Sequence, residues 1–274
     1  MTANALVITG YGVNSEEETA FGFETVGFNA TVMHINDLIE NPNLLNNYQV
    51  LCAPGGFSYG DDTGSGNAFA QKMRLTIGDM LQEFVSRDTL TLGICNGCQI
   101  LVNLGLVPAI NNKYGTRLVA VTHNESARYQ CRWVDLKVED NKSPWLQDVD
   151  MMHIPVAHGE GRFMMDDETL NTLQANGQIV LRYAKDTKAA KGEFPFNPNG
   201  STDDIAGITD ESGRVMVLMP HPERGMFSWQ RDDFAKLKDS AVRNGQQLPD
   251  TTDGLLLFEN AARYFDINVM KKVG

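Results

Sequence analysis

The chain has 274 residues, 42% of them apolar, which is enough to bury a full hydrophobic core, and its length suits one large α/β domain over residues 1–274. Its formal charge of -12 argues against a nucleic-acid or anionic-membrane partner, because phosphate contacts need clustered Lys and Arg. Four dispersed cysteines, an amino terminus (MTANALVITG) with no basic segment ahead of a long apolar one, and no run near the roughly 18 apolar residues of a spanning helix imply a reducing, cytosolic setting and no membrane span.

In chain order, an apolar strand (Leu6 to Thr9) leads through a Gly-rich turn to a helix containing Glu16, Glu17 and Glu18, then to a strand-like run from Thr31 to Ile35. A short β-rich run, Tyr48 to Pro54, ends in PGG and precedes a helix from Ala68 to Ser86. Leu90 to Cys95 is a strand entering a helix, Asn96 to Leu104, which Gly105 and Pro108 stop. From Arg117 the texture changes. ARYQCRWVDLKVED alternates as an antiparallel strand does, and DIAGITDESGRVMVLMP reads as a hairpin turning at Glu211 to Gly213. KGEFPFNPNGSTDD, rich in Pro, Gly and Asn, reads as a surface loop, and Thr252 to Lys272 as a closing helix with Leu255, Leu256, Phe258, Ala262 and Phe265 inward. The sum is a three-layer αβα fold on an open, mixed, mostly parallel sheet.

The segment TLGICNGCQIL holds a C-x-x-C pair, Cys95 and Cys98. A zinc site needs four ligands, and Cys52 and Cys131 each stand alone in apolar strand-like runs. A thioredoxin-like couple needs the pair at a helix start, a geometry this segment offers. A third reading rests on Gly93 and Gly97, two residues either side of Cys95 at a strand-to-helix junction: the nucleophile-elbow pattern, in which small neighbours relieve the crowding of a strained turn. A thiol there faces the positive end of the helix dipole, which favours the thiolate.

Such a thiol needs a base and an orienting acid. HPER follows the apolar strand VMVLMP, so His221 and Glu223 stand at a strand end, the edge that carries sites in open parallel sheets. On an extended piece, i and i+2 both reach one neighbouring loop, with His221 as base and Glu223 fixing its tautomer. APGGFSYGDD offers backbone N–H groups at Gly55 and Gly56 to a developing oxyanion, one such donor being worth about 3–4 kcal/mol of barrier. With five glycines, GGFSYGDDTGSG has many conformations open to it until something fixes it, either a partner or side chains such as Phe57 and Tyr59.

Together GVNSEEETAFGF, PGGFSYGDD, LGICNGCQIL, PVAHGEGRF, FNPNGS and MPHPER resemble a class I glutamine amidotransferase of flavodoxin-like fold, and more narrowly the glutaminase component of phosphoribosylformylglycinamidine synthases. CNGCQ with NPNGS is more reminiscent of the carboxy-terminal domain of the large single-chain synthases than of separate small subunits. The resemblance implies a catalytic triad of Cys95, His221 and Glu223, an oxyanion hole from the Gly56 and Asn96 N–H groups, and glutamine α-groups held by Gln99, His158, Gly159, Glu160 and Gly161. It implies glutamine hydrolysis through a cysteine thioester, with ammonia passed to a synthetase subunit and a small third subunit as a further expected member of the complex. No G-x-x-x-x-G-K-[ST] occurs, so no cofactor is expected on this chain, and ATP and magnesium are expected on the synthetase. The less familiar TGSGNAFAQKMR reads as a partner surface. The rival functions are the glutaminase of another amidotransferase or a thiol redox protein.

Overall fold

The innermost strands of the fold are buried at every position and almost wholly apolar, because a parallel strand is covered on both faces and has no solvent side. The structure, a computed structural model, describes residues 3–267. In chain order its strands and helices are β1 (Asn4–Thr9), α1 (Glu16–Thr25), β2 (Asn29–His34), α2 (Ile35–Glu40), β3 (Val50–Ala53), α3 (Asn67–Ser86), β4 (Leu90–Ile94), α4 (Asn96–Leu104), β5 (Ala120–Thr122), β6 (Gln130–Val138), β7 (Met151–His158), β8 (Arg162–Met164), α5 (Asp167–Ala175), β9 (Ile179–Lys185), β10 (Lys188–Ala189), β11 (Ile205–Thr209), β12 (Val215–Leu218), α6 (Phe234–Arg243) and α7 (Asp253–Tyr264). β3, β4 and β12 are buried throughout.

The main sheet runs β2-β1-β3-β4-β12-β11-β9-β6-β7, with β10 on β9. β2, β1, β3, β4 and β12 pair in parallel, and the remaining neighbours are antiparallel, so the sheet is open and mixed. The chain moves outward from β1 to β2 on one side and from β3 to β4 on the other. Right-handed crossovers then put α1 on one face and α3 on the opposite one. α7 packs against α1, and α4 against α3, which gives the three layers. The direction of winding reverses between β1 and β3, so a crevice opens beyond their carboxyl ends, where ligands bind in open α/β sheets.

Several sequence expectations need correction. On α7 the inward residues include Leu257 and Ala261, while Leu256 is only half-buried. The helix ends at Tyr264 and Phe265 follows it, and the expected continuation over 268–272 lies outside the described residues. Cys131 is exposed on β6, one of the strands that alternates between core and solvent. The loop over 191–204 is exposed only in its first half. Asn197, Asn199, Ser201 and Asp204 are buried, because Asn and Asp side chains there satisfy backbone groups that water would otherwise serve: Asp204 accepts from Gly192 N at 2.8 Å, and Asn199 Nδ2 donates to Gly161 O at 2.8 Å. No helix among the described residues is long and apolar enough to cross a membrane.

Candidate active site

Cys95 sits between β4 and α4 with φ 50° and ψ -105°, a strained conformation for a residue with a Cβ. Its N–H donates to Leu218 O of β12 at 2.9 Å, which holds the turn against the neighbouring parallel strand. The flanking glycines have a steric cause. A Cβ on Gly97 would lie 1.7 Å from Ala53 O, and one on Gly93 would lie 2.8 Å from Gly97 O, so no side chain fits at either place. The elbow is therefore packed directly on the end of β3. Cys95 is almost wholly buried, and its thiol lies 3.9 Å from Ala157 O of β7. Cys98 is fully buried one turn on, and burial first, then the charge on Cys95, hold its thiol well above the usual range. That environment suits an inert core residue and disfavours a C-x-x-C redox couple.

His221 and Glu223 are both buried, with His221 Nδ1 2.5 Å from Glu223 Oε1. They do not lie on an extended piece: Pro222–Arg224 forms a 3-10 turn, and the curvature of that turn brings i and i+2 together. Burial opposes a charge on the imidazole, but the Glu223 carboxylate and the negative charge of Cys95 overcome it and push the His221 pKa up to about 10. His221 Nε2 is buried with no hydrogen-bond partner among the described residues. The imidazolium is thus the resting form, and Nε2 is the atom left to meet a reacting group. Arg224 Nη2 donates to Ser15 Oγ at 2.7 Å, and its Nε lies 3.8 Å from Glu223 Oε1, which ties the turn to the loop after β1.

The PGG loop leaves β3 beside this pair. A Cβ on Gly55 would lie 2.8 Å from His221 Cε1, so the loop backbone lies against the imidazole ring. Gly56 forms an isolated antiparallel bridge with Val13, closed by Phe57 N donating to Gly12 O (2.8 Å) and Asn14 N donating to Gly55 O (3.1 Å). In that pattern Gly56 and Val13 do not bond each other, and the Gly56 N–H points away from residues 12–14. Asn96 begins α4, so its N–H has no carbonyl within the helix to reach. Its side chain accepts from Ser58 N at 3.3 Å, which links the two expected oxyanion donors. The five-glycine loop is less free than its composition implies: Tyr59 is locked by stacking on Tyr11, while Phe57 stays exposed.

The residues expected to hold the glutamine α-groups are brought together around the turn after β7. Gln99 is buried and both ends of its amide are occupied, Oε1 by Asn96 Nδ2 (2.9 Å) and Nε2 by Glu160 O (2.5 Å). It fixes the turn after β7, and each end of the amide keeps one further donor or acceptor. His158 is buried, and burial and then the nearby His221 lower its pKa to about 3, so it is neutral. A Cβ on Gly161 would lie 2.3 Å from the His158 ring, which requires glycine there. Asn124 organises the turn: its Nδ2 donates to His158 O (2.9 Å), its Oδ1 accepts from Gly161 N (3.1 Å), and its N donates to Gly159 O (2.9 Å). Gly159 and Glu160 line a cleft of about 430 Å³ with Phe57, Asp61, Arg128 and Tyr129. Tyr129 and Gly159 flank the paired residues Gln130 and His158, next to Ala157, whose carbonyl meets the Cys95 thiol, so this cleft adjoins the nucleophile; burial and then the charge of Cys95 raise the Tyr129 pKa. Asn124, Arg128, Tyr129, Arg224 and the carbonyl of Ala157 escaped the sequence reading, because single polar residues in loops and a backbone oxygen carry no periodic signal. A larger cavity of about 750 Å³ includes Glu211 of the β11–β12 turn, at the opposite ends of the strands, and none of the expected site residues lines it.

A profile of the CobB/CobQ-like glutamine amidotransferase domain matches residues 2–265. The phosphoribosylformylglycinamidine synthase subunit PurQ of Methanococcus maripaludis is 45% identical over 95% of this chain and 97% of its own length. The phosphoribosylformylglycinamidine synthase of Drosophila melanogaster is 37% identical over 80% of this chain, which is only 17% of that protein. Among solved structures, PurLQS from Thermotoga maritima superposes with a TM-score of 0.69 at 30% identity, covering 97% of this chain and all of the matched one (100%). The likeness to the separate subunit is the stronger of the two, contrary to the hint in CNGCQ and NPNGS.

Proposed function

The chain belongs to the PurQ family of glutamine amidotransferases, and we propose that Cys95, His221 and Glu223 are the triad with which it hydrolyses glutamine. It is the glutaminase subunit of phosphoribosylformylglycinamidine synthase, and its partner is the synthetase subunit. The Cys95 thiolate attacks the side-chain amide carbon of glutamine, and the Gly56 and Asn96 N–H groups take the charge that forms on the oxygen. The His221 imidazolium gives its proton to the departing ammonia. Neutral His221 then takes a proton from water as it attacks the thioester, which releases glutamate and restores the Cys95 thiolate and the His221 imidazolium. Glu223, buried and 2.5 Å from Nδ1, holds the tautomer and stabilises the imidazolium.

Ammonia set free in water at neutral pH is mostly ammonium and no nucleophile, so it passes within a closed complex to the synthetase. There the partner would bind ATP and magnesium, which would supply activation of the amide oxygen of formylglycinamide ribonucleotide as a phosphate leaving group, so that the ammonia replaces it to give formylglycinamidine ribonucleotide, ADP and phosphate. The small third subunit completes the assembly, and the reaction belongs to the cytoplasm. The observation that carries the assignment is the strained, glycine-flanked Cys95 at the strand-to-helix turn, together with the buried His221–Glu223 pair at the end of the neighbouring strand. Glutamate release by the assembled complex, before and after alkylation of Cys95, tests it. Retained glutaminase after full alkylation would overturn it.

A further inference from the structure

GVNS, the stretch that follows Tyr11, has no part in the chemistry above, yet its backbone touches both halves of the site. Beyond the Val13–Gly56 bridge, Tyr59 N donates to Tyr11 O at 2.7 Å, so residues 11–14 and 55–59 form a short antiparallel ribbon. Two of its three glycines, Gly12 and Gly56, are required by close approach of the two segments. A Cβ on Gly12 would lie 2.5 Å from Phe57 O, and one on Gly56 would lie 2.6 Å from Val13 Cα. At the outer end the Tyr11 and Tyr59 rings stack with centroids 4.6 Å apart. The Tyr11 hydroxyl donates to Asn36 Oδ1 (2.9 Å) and accepts from Lys72 Nζ of α3 (3.1 Å), which anchors the ribbon to the body of the fold. The loops after β1 and β3 meet here because they flank the point where the winding of the sheet reverses.

We propose that Tyr11 and Gly12 are positioning residues: the segment after β1 is a splint that holds the Gly56 N–H where the oxyanion forms. This rests on the glutaminase reading above. Neither residue touches the reacting atoms. Their effect is to fix a glycine-rich strand whose backbone would otherwise sample other orientations of that N–H, with a loss of turnover in proportion to the time spent elsewhere. The splint acts on the transition state, because an oxyanion donor makes its strongest bond only as charge develops.

The test is steady-state kinetics of Gly12→Ala, Tyr11→Ala and Tyr11→Phe in the assembled complex, with Cys95→Ala alongside. Gly12→Ala parts the ribbon, and glutamine-dependent kcat should fall about 10- to 100-fold, approaching the loss of one oxyanion donor, with KM for glutamine within about twofold. Tyr11→Ala, which spares the backbone, should lose about three- to tenfold, and Tyr11→Phe, which keeps the stack, should recover most of that loss. Ammonium-driven turnover and the rate of Cys95 alkylation should stay at the parental level in all three. Should Gly12→Ala fail to fold, the Tyr11 pair decides the matter. Unchanged kcat in the Tyr11→Ala and Gly12→Ala proteins would overturn the splint, as would a loss carried in KM or matched by slower alkylation. Glutamine-dependent activity surviving in Cys95→Ala would overturn the glutaminase reading itself, a separate outcome.

Discussion

His221 and Glu223 stand two residues apart on one 3-10 turn, with imidazole Nδ1 2.5 Å from carboxylate Oε1 and both side chains buried. A carboxylate taken out of water needs a charged partner, and the imidazolium is that partner, so the pair is an ionic unit before any substrate arrives. The other carboxylate oxygen, Glu223 Oε2, has no hydrogen-bond partner among the described residues, which makes the imidazolium contact the main source of compensation on this carboxylate.

Glu223→Gln keeps the shape and removes the charge. The imidazolium is then less stable when the thiolate attacks, and kcat for glutamine should fall by about 10² to 10⁴ while KM changes far less. Initial-rate kinetics over a range of glutamine concentrations separate the two. A raised KM with kcat intact would make Glu223 a binding residue.

Cys95→Ala removes the nucleophile and nothing the synthetase uses. Glutamine-dependent synthesis by the assembled complex should be abolished, and synthesis from added ammonium salt should continue at nearly the parental rate. Both assays run on one preparation. A parallel fall in the ammonium reaction, with assembly verified by gel filtration, would contradict the division of labour.

Cys98→Ser distinguishes a core cysteine from a redox partner. Cys98 is fully buried, so the added hydroxyl should cost about 1–3 kcal/mol of stability in a urea titration, while the glutaminase rate remains. Loss of activity in a folded Cys98→Ser protein would return the C-x-x-C pair to consideration as a working couple.

The two buried histidines shape the pH profile of stability in opposite directions. Folded His158 stays neutral down to about pH 3, whereas the unfolded residue takes a proton near the ordinary value of 6.5. The unfolded state therefore binds more protons between those values, and stability falls as pH drops through the window. His221 keeps its proton up to about pH 10 in the folded state, so stability falls as pH rises from 6.5 toward that value. Each slope approaches about 1.4 kcal/mol per pH unit. Urea midpoints measured from about pH 4 to about pH 9 should form a dome, and His158→Asn should flatten its acid side. An acid limb of unaltered slope in that variant would refute the assignment of a neutral buried His158.

Elements whose signal is local are legible in the chain alone. The apolar-rich strands before Pro54 and Cys95, the helix Asn96–Leu104 with its Gly105 stop, and the G-x-C-x-G elbow are each legible within about one turn of their place, because burial on both faces, capping and tight turns are written in adjacent residues. Only the tertiary structure decided which distant residues meet. Gln99 meets Asn96 on its own helix and Glu160 O, 61 positions away, a contact that spacing in the chain does not announce. The composition of FNPNGS suits a surface loop, yet Asn199 is buried under the turn it supports. The Tyr11–Tyr59 stack depends on β1 and β3 being neighbours at the reversal of the sheet. Hydrogen-bond satisfaction and close packing across the sheet act between residues that are remote in the chain, and no periodicity records their pairing.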